Sequence, residues 1–229
     1  MEYGIESQPT YSVLEVTLHP SESIVAESGA MVWMSDSIQL STSARGGLFR
    51  SLRRSALGSE SFFQNVFEAR GTSGVVGFAP GQPGDIVAID LSHGDILLED
   101  GAFLASEQGV GIDSNFQGFQ GLFNEGLFIL RASGSGLLFF SGYGDIEEIE
   151  VNGSYIVDNG HAVAWEPTLR YGITRGRSIR SFLFSDQLLL RFSGRGRLWV
   201  QSRSPQVLAN WVHPYRSVVR EDDEKDREH

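Results

Sequence analysis

Gly84-Asp85-Ile86-Val87-Ala88-Ile89-Asp90-Leu91-Ser92-His93-Gly94-Asp95-Ile96-Leu97-Leu98-Glu99-Asp100-Gly101-Ala102-Phe103-Leu104-Ala105 is the clearest copy of a pattern that the chain writes three times. It reads as an apolar strand, a polar turn, a second apolar strand, a carboxylate two residues before a glycine, and then small and apolar residues again. The first copy spans Leu14 to Trp33, with Glu27 ahead of Gly29-Ala30-Met31-Val32. The third spans Asp145 to Trp165, with Asp158 ahead of Gly160-His161-Ala162-Val163. Short apolar runs separated by two to four turn residues pair most simply as antiparallel neighbours. Aligned on Gly29, Gly101 and Gly160, the copies lie 72 and 59 residues apart. Those spacings are too long for a solenoid and suit three related β-units sharing one body.

Outward from this stretch, the expected fold is all-β: an antiparallel sandwich or short double-stranded β-helix. Its three pseudo-repeats cover about residues 11–70, 71–140 and 141–205 of a single domain at 1–220. Strands are expected at Tyr11–Leu18, Ser23–Met34 (bent at Ser28-Gly29), Ile38–Thr42, Phe67–Arg70, Gly74–Ala79, Leu127–Arg131 and Gly136–Ser141. Three more are expected at Ile179–Phe184, Leu188–Phe192 and Leu198–Gln201. Two stretches break the rhythm. In 44–64, Leu48, Phe49 and Leu52 fall at helical spacing opposite Arg50, Arg53 and Arg54, which predicts one short basic helix near 47–56. In 109–126, Phe116 and Phe119 alternate with glycine. Residues 221–229 read as a solvated charged tail.

Composition removes several kinds of chemistry. The chain has 229 residues, enough to bury a core without disulfides, and no cysteine, so thiolate metal sites and cysteine nucleophiles are excluded. Its one lysine, Lys225, lies in the tail, which leaves no lysine for a P-loop or a Schiff base in the folded part. No Gly-x-Ser-x-Gly occurs, and His19, His93, His161, His213 and His229 form neither His-x-His nor His-Glu-x-x-His. Gly134-Ser135-Gly136 and Gly194-Arg195-Gly196 are expected in hairpins. His161 reads as a turn residue, and Glu147 and Glu148 face opposite sides of a strand. The N-terminus shows no secretory or transit signal, and no apolar run approaches the roughly 18 residues of a membrane span. The expectation is a cytoplasmic protein that is not an enzyme and has no cofactor or metal.

Charge is unevenly spread. Residues 71–166 hold fourteen acidic residues against Arg131, whereas 167–203 hold eight arginines against Asp186. Mutual neutralisation within the fold or across a subunit interface explains this without an outside partner. An arginine surface for phosphates, carried by Arg175, Arg177, Arg195 and Arg197, is the alternative. For Glu27, Glu99 and Asp158 two readings stand: three carboxylates around a hard cation, or three side chains that each hold a strand bend by accepting backbone amide hydrogen bonds. The second needs no ligand and is the one expected.

Six segments together resemble a known family: Ala26-Glu27-Ser28-Gly29-Ala30-Met31-Val32-Trp33-Met34, Gly58-Ser59-Glu60-Ser61-Phe62-Phe63, Phe78-Ala79-Pro80 with Pro83-Gly84-Asp85-Ile86, Gly101-Ala102-Phe103-Leu104-Ala105-Ser106, Val157-Asp158-Asn159-Gly160-His161 and Trp199-Val200-Gln201-Ser202-Arg203. In order and spacing they are similar to the altered-inheritance-of-mitochondria twenty-four, or mitochondrial biogenesis, family over about residues 10–205. The resemblance implies a fold of the tryptophan RNA-binding attenuation protein-like kind. The family's fungal mitochondrial member is associated with the inner membrane, and its bacterial and archaeal members have no established activity. The chain departs from the family pattern at Ser185-Asp186-Gln187 and Gly194-Arg195-Gly196.

The function expected from all this is a scaffold or interaction protein acting as a homo-oligomer, with a protein partner unidentified. The alternatives are nucleic-acid binding through the arginines of 170–203, opposed by a net charge of −11, and membrane-surface association through 45–57.

Overall fold

The computed structural model describes residues 1–42, 64–113, 128–174 and 189–216. After β1 (Glu2–Glu6), six strands form a first unit: β2 (Val13–Leu18), β3 (Ser23–Glu27), β4 (Met31–Met34), β5 (Ile38–Thr42), β6 (Gln64–Ala69) and β7 (Gly74–Phe78). The second unit repeats them as β8 (Gly84–Asp90), β9 (Ile96–Glu99), β10 (Phe103–Glu107), β11 (Val110–Asp113), β12 (Ile129–Gly134) and β13 (Leu137–Tyr143). The third uses four among the described residues: β14 (Ile146–Asp158), β15 (Ala162–Trp165), β16 (Arg170–Thr174) and β17 (Leu189–Gln201). Helix α1 (Pro205–Val212) and a 3-10 turn (His213–Tyr215) follow.

Pairing within each unit is the same. In the first, β2 and β4 flank β7, while β3 and β5 flank β6. In the second, β8 and β10 flank β13, while β9 and β11 flank β12. In the third, the long β17 does both jobs, with β14 along one side and β15 and β16 along the other. The register also slips at one equivalent place in each unit, between Met31 and Trp33, Phe103 and Ala105, and Ala162 and Ala164. A bulge inserts one residue and bends the strand, so a bulge repeated at the same step gives each unit the same curl.

The third unit differs from the sequence expectation. The strand–turn–strand anticipated after Asp145, and the separate strands at Leu188–Phe192 and Leu198–Gln201, are instead two continuous 13-residue strands. Where the other units turn a corner, Gly153 and Gly194 stand opposite each other at φ +118° and +128°. That left-handed backbone suits glycine and lets the ribbon bend without a loop. Gly194-Arg195-Gly196 therefore lies inside a strand and not in a hairpin turn.

Units join edge to edge. β3 pairs with β10, and β9 pairs with β15, both antiparallel. Three cores result. The first holds Leu14, Leu18, Ile24, Phe67, Phe78 and Phe139; the second holds Leu98, Phe103, Leu130, Phe140 and Trp199; the third holds Leu97, Trp165, Leu190, Phe192 and Leu198. Edge-to-face aromatic pairs set ring positions in each: Phe67 on Phe78, Phe140 on Trp199, and Trp165 on Phe192. Side chains this size contribute about 1.5–3 kcal/mol each by leaving water, which is why short strands suffice.

The helix predicted near 47–56, the strand expected at Ile179–Phe184 and the tail at 221–229 lie outside the described residues. α1 was not anticipated. Its sequence signal is Ser204-Pro205, with Pro at the first helical position where the amide hydrogen bond is not needed. No helix among the described residues is long and apolar enough to cross a membrane.

Candidate functional site

The three copies of the recurring turn open onto one cavity of about 500 Å³. Its wall includes Glu27 from the first copy, Glu99, Gly101 and Ala102 from the second, and Asn159, Gly160 and Ala162 from the third, with Gln201, Ser204 and Gln206 among the other residues that line it. The unit junctions explain this convergence. Because β3 lies beside β10 and β9 beside β15, the carboxylate end of one unit's strand falls next to the turn that begins the next unit's strand.

At the second turn, Gly101 N–H donates to Glu99 Oε2 and to Asp100 Oδ1, both at 3.1 Å. At the third, Gly160 N–H donates to Asp158 Oδ1 at 3.1 Å. The first turn is closed by backbone, Ala30 N–H donating to the Glu27 carbonyl oxygen at 3.2 Å, with Gly29 at φ +92°. The third turn is tied down further. Gln201 Nε2 donates to the Gly160 carbonyl at 2.8 Å, Tyr143 N–H donates to Gln201 Oε1 at 2.7 Å, and His161 Nδ1 lies 2.8 Å from the Gln201 carbonyl oxygen. His161 thus serves the turn.

Electrostatically the second turn stands apart. Burial pushes the Glu99 carboxyl up to about 8; a hydrogen bond and charge repulsion from Asp100 add to this, the Gly101 amide opposes it, and the Glu27 charge adds a little. Glu27 is raised as well, by burial first and by the Asp100 charge second. Two neighbouring carboxyls on this cavity, Glu99 and Glu27, are therefore both held above the usual carboxylate range. Asp158 is not among the groups acting on either glutamate. Among the described residues no group of three or more Asp, Glu, His or Cys side chains is spaced to hold a metal ion.

The arginine candidates divide. Arg197 Nε donates to Glu166 Oε1 at 2.8 Å, Arg197 NH1 lies 3.8 Å from Glu148, and its guanidinium stacks 5.0 Å from the Trp199 ring centroid. Arg195 Nε donates to Asn152 Oδ1 at 3.0 Å. Arg131 pairs with Asp95. The Arg197 contacts join the basic stretch to the acidic one inside the chain. Arg175, Arg177, Leu48, Phe49, Arg50, Arg53, Arg54, Phe116 and Phe119 lie outside the described residues.

Sequence reading missed a different set, the large apolar side chains left open to water. Val32, Trp33 and Met34 of β4 are exposed, as are Tyr155 and Ile156 of β14. On α1 and the turn after it, Val207, Leu208, Trp211 and Tyr215 are exposed, Trp211 at 66% and Tyr215 at 76%. Met31-Val32-Trp33-Met34 carried no signal of its own, because its counterparts Phe103 to Ser106 and Ala162 to Trp165 are buried.

Comparison with known proteins agrees with the resemblance seen in the sequence. The family model described as "Mitochondrial biogenesis AIM24" matches residues 3–203. An uncharacterized protein of Streptococcus pyogenes serotype M6 is 29% identical over 226 residues, an alignment covering 94% of this chain and 91% of the relative. A Streptococcus pyogenes protein of known crystal structure superposes with a TM-score of 0.76 at 27% identity, over 94% of this chain and 99% of that one.

Proposed function

The chain belongs to the mitochondrial biogenesis AIM24 family, and from that premise we propose that it is a non-enzymatic scaffold that works as a homo-oligomer. One observation carries the proposal: large apolar side chains on β4, on β14 and on α1 are exposed, where a monomer would leave them in water. Patches of this kind mark surfaces that another chain covers. The curled units, each joined edge to edge with the last, support the short double-stranded β-helix architecture that the resemblance implies.

The internal pairing of Arg197 with Glu166 and Glu148 favours protein assembly over phosphate binding. The proposal includes a cytoplasmic location, which fractionation of the source cells tests. Sedimentation velocity at micromolar concentration tests the core of it. A discrete homo-oligomer is expected, and a strict monomer across the range would overturn the scaffold reading.

A further inference from the structure

Resting on that homo-oligomeric reading, we infer that copies of this chain join head to tail, β4 of one pairing antiparallel with β14 of the next. The contact repeats the junction already made twice within each chain. The proposal names the partner, a second copy, and the register.

At the internal junctions, β10 meets β3 through Ala105 opposite Ala26, Ser106 opposite Val25 and Glu107 opposite Ile24. β15 meets β9 through Ala164 opposite Leu98 and Trp165 opposite Leu97. Aligned on the turn glycines, these are one register: Ala105 matches Ala164, and Ala26 matches Leu98. Two strands of the same kinds are left over. Among the described residues β4, equivalent to β10 and β15, pairs only with β7, and β14, whose second half is equivalent to β3 and β9, pairs only with β17. The shared register sets Trp33 opposite Val157 and Met34 opposite Ile156 of the next copy.

The side chains are already chosen for it. Leu104 of β10 and Val163 of β15 each reach back across a junction, Leu104 into the first core and Val163 into the second, and are 0% and 2% exposed. Val32 holds the same place on β4 and is 54% exposed. Leu97 of β9 crosses a junction the other way, into the third core. Its equivalent on β14 is Ile156, 46% exposed. Apolar residues on an open strand edge invite pairing with another chain. Here both edges carry them, at matching positions. Donor and acceptor edges differ, so the contact is heterologous and propagates from copy to copy until it closes.

Val32→Lys and Ile156→Lys test this, since each puts a charge on a residue exposed in the single chain. Each variant alone should lose the oligomer and sediment as a monomer while keeping the wild-type circular dichroism. Mixed together, they should form a one-to-one dimer and stop there, because one intact β4 and one intact β14 remain. Met34→Cys with Ile156→Cys in one otherwise cysteine-free chain should cross-link between copies on oxidation. A wild-type oligomer that survives both lysine substitutions and gives no cross-link would overturn the pairing and leave the scaffold reading standing. A wild-type monomer would overturn both.

Discussion

At the scale of single residues, Glu99 has the clearest consequence. Its carboxyl is raised from an ordinary 4.5 to about 8, so between those values the folded state keeps a proton that the unfolded chain releases. The stability this proton confers is complete below about pH 4.5 and is lost as pH rises through the folded value. Glu99→Gln keeps an acceptor for the Gly101 amide and removes the titration. The variant should match wild type near pH 4 and exceed it near pH 9 by on the order of 2 kcal/mol, less than a sealed site would give because the cavity opens to water. Thermal scans across that range check it, and parallel curves would refute it. Gly84 sets a harder limit. A Cβ there would stand 1.7 Å from the Gly142 carbonyl oxygen of the paired strand β13. Gly84→Ala should cost more than about 3 kcal/mol or prevent folding, read by denaturant titration. The sequence placed Glu99 at a bend. What it hid was the crowding, since Asp100 is adjacent in the chain but Glu27 arrives only through the β3–β10 junction.

At the scale of elements, alternation and turn residues located most strands, because period-two patterning reports one buried face directly. They failed in the third unit for a physical reason. Glycine in an apolar run signals a corner and an in-strand kink alike, and only the partner decides between them. Gly153 faces Gly194, so β14 and β17 bend together and stay paired. Substitution should separate the two glycines. Nothing lies within 4 Å of a Cβ at Gly153, so Gly153→Ala bears only the strain of a left-handed backbone, about 1 kcal/mol. At Gly194 the Thr168 carbonyl oxygen would be 3.1 Å away as well, and Gly194→Ala should cost more. Urea midpoints in that order support the paired kink; equal midpoints would place the bend elsewhere. α1 escaped notice because all its apolar residues are exposed, so it lacks the tie to a core that makes a helical stripe persuasive.

At the scale of the whole molecule, the repeat leaves the chain unfinished. Three units make two internal junctions, and each buries a complete strand pair: Ile24 to Ala26 with Ala105 and Ser106, and Ile96 to Leu98 with Ala164 and Trp165. The same segments at the two ends, Val32 to Met34 and Tyr155 to Ile156, stay in water. No reading of one sequence could show this, since copies alike in pattern differ only in whether a neighbour exists. If a second copy supplies that neighbour, folding and assembly are linked, and stability depends on concentration. A free partner at a hundred times the dissociation constant adds about 2.7 kcal/mol. The melting temperature of the wild-type protein should therefore rise steadily with dilution reversed from nanomolar to micromolar, while that of Val32→Lys should stay flat and meet the wild-type value at the dilute end. A wild-type melting temperature independent of concentration would mean that the two edges contribute nothing to stability in solution.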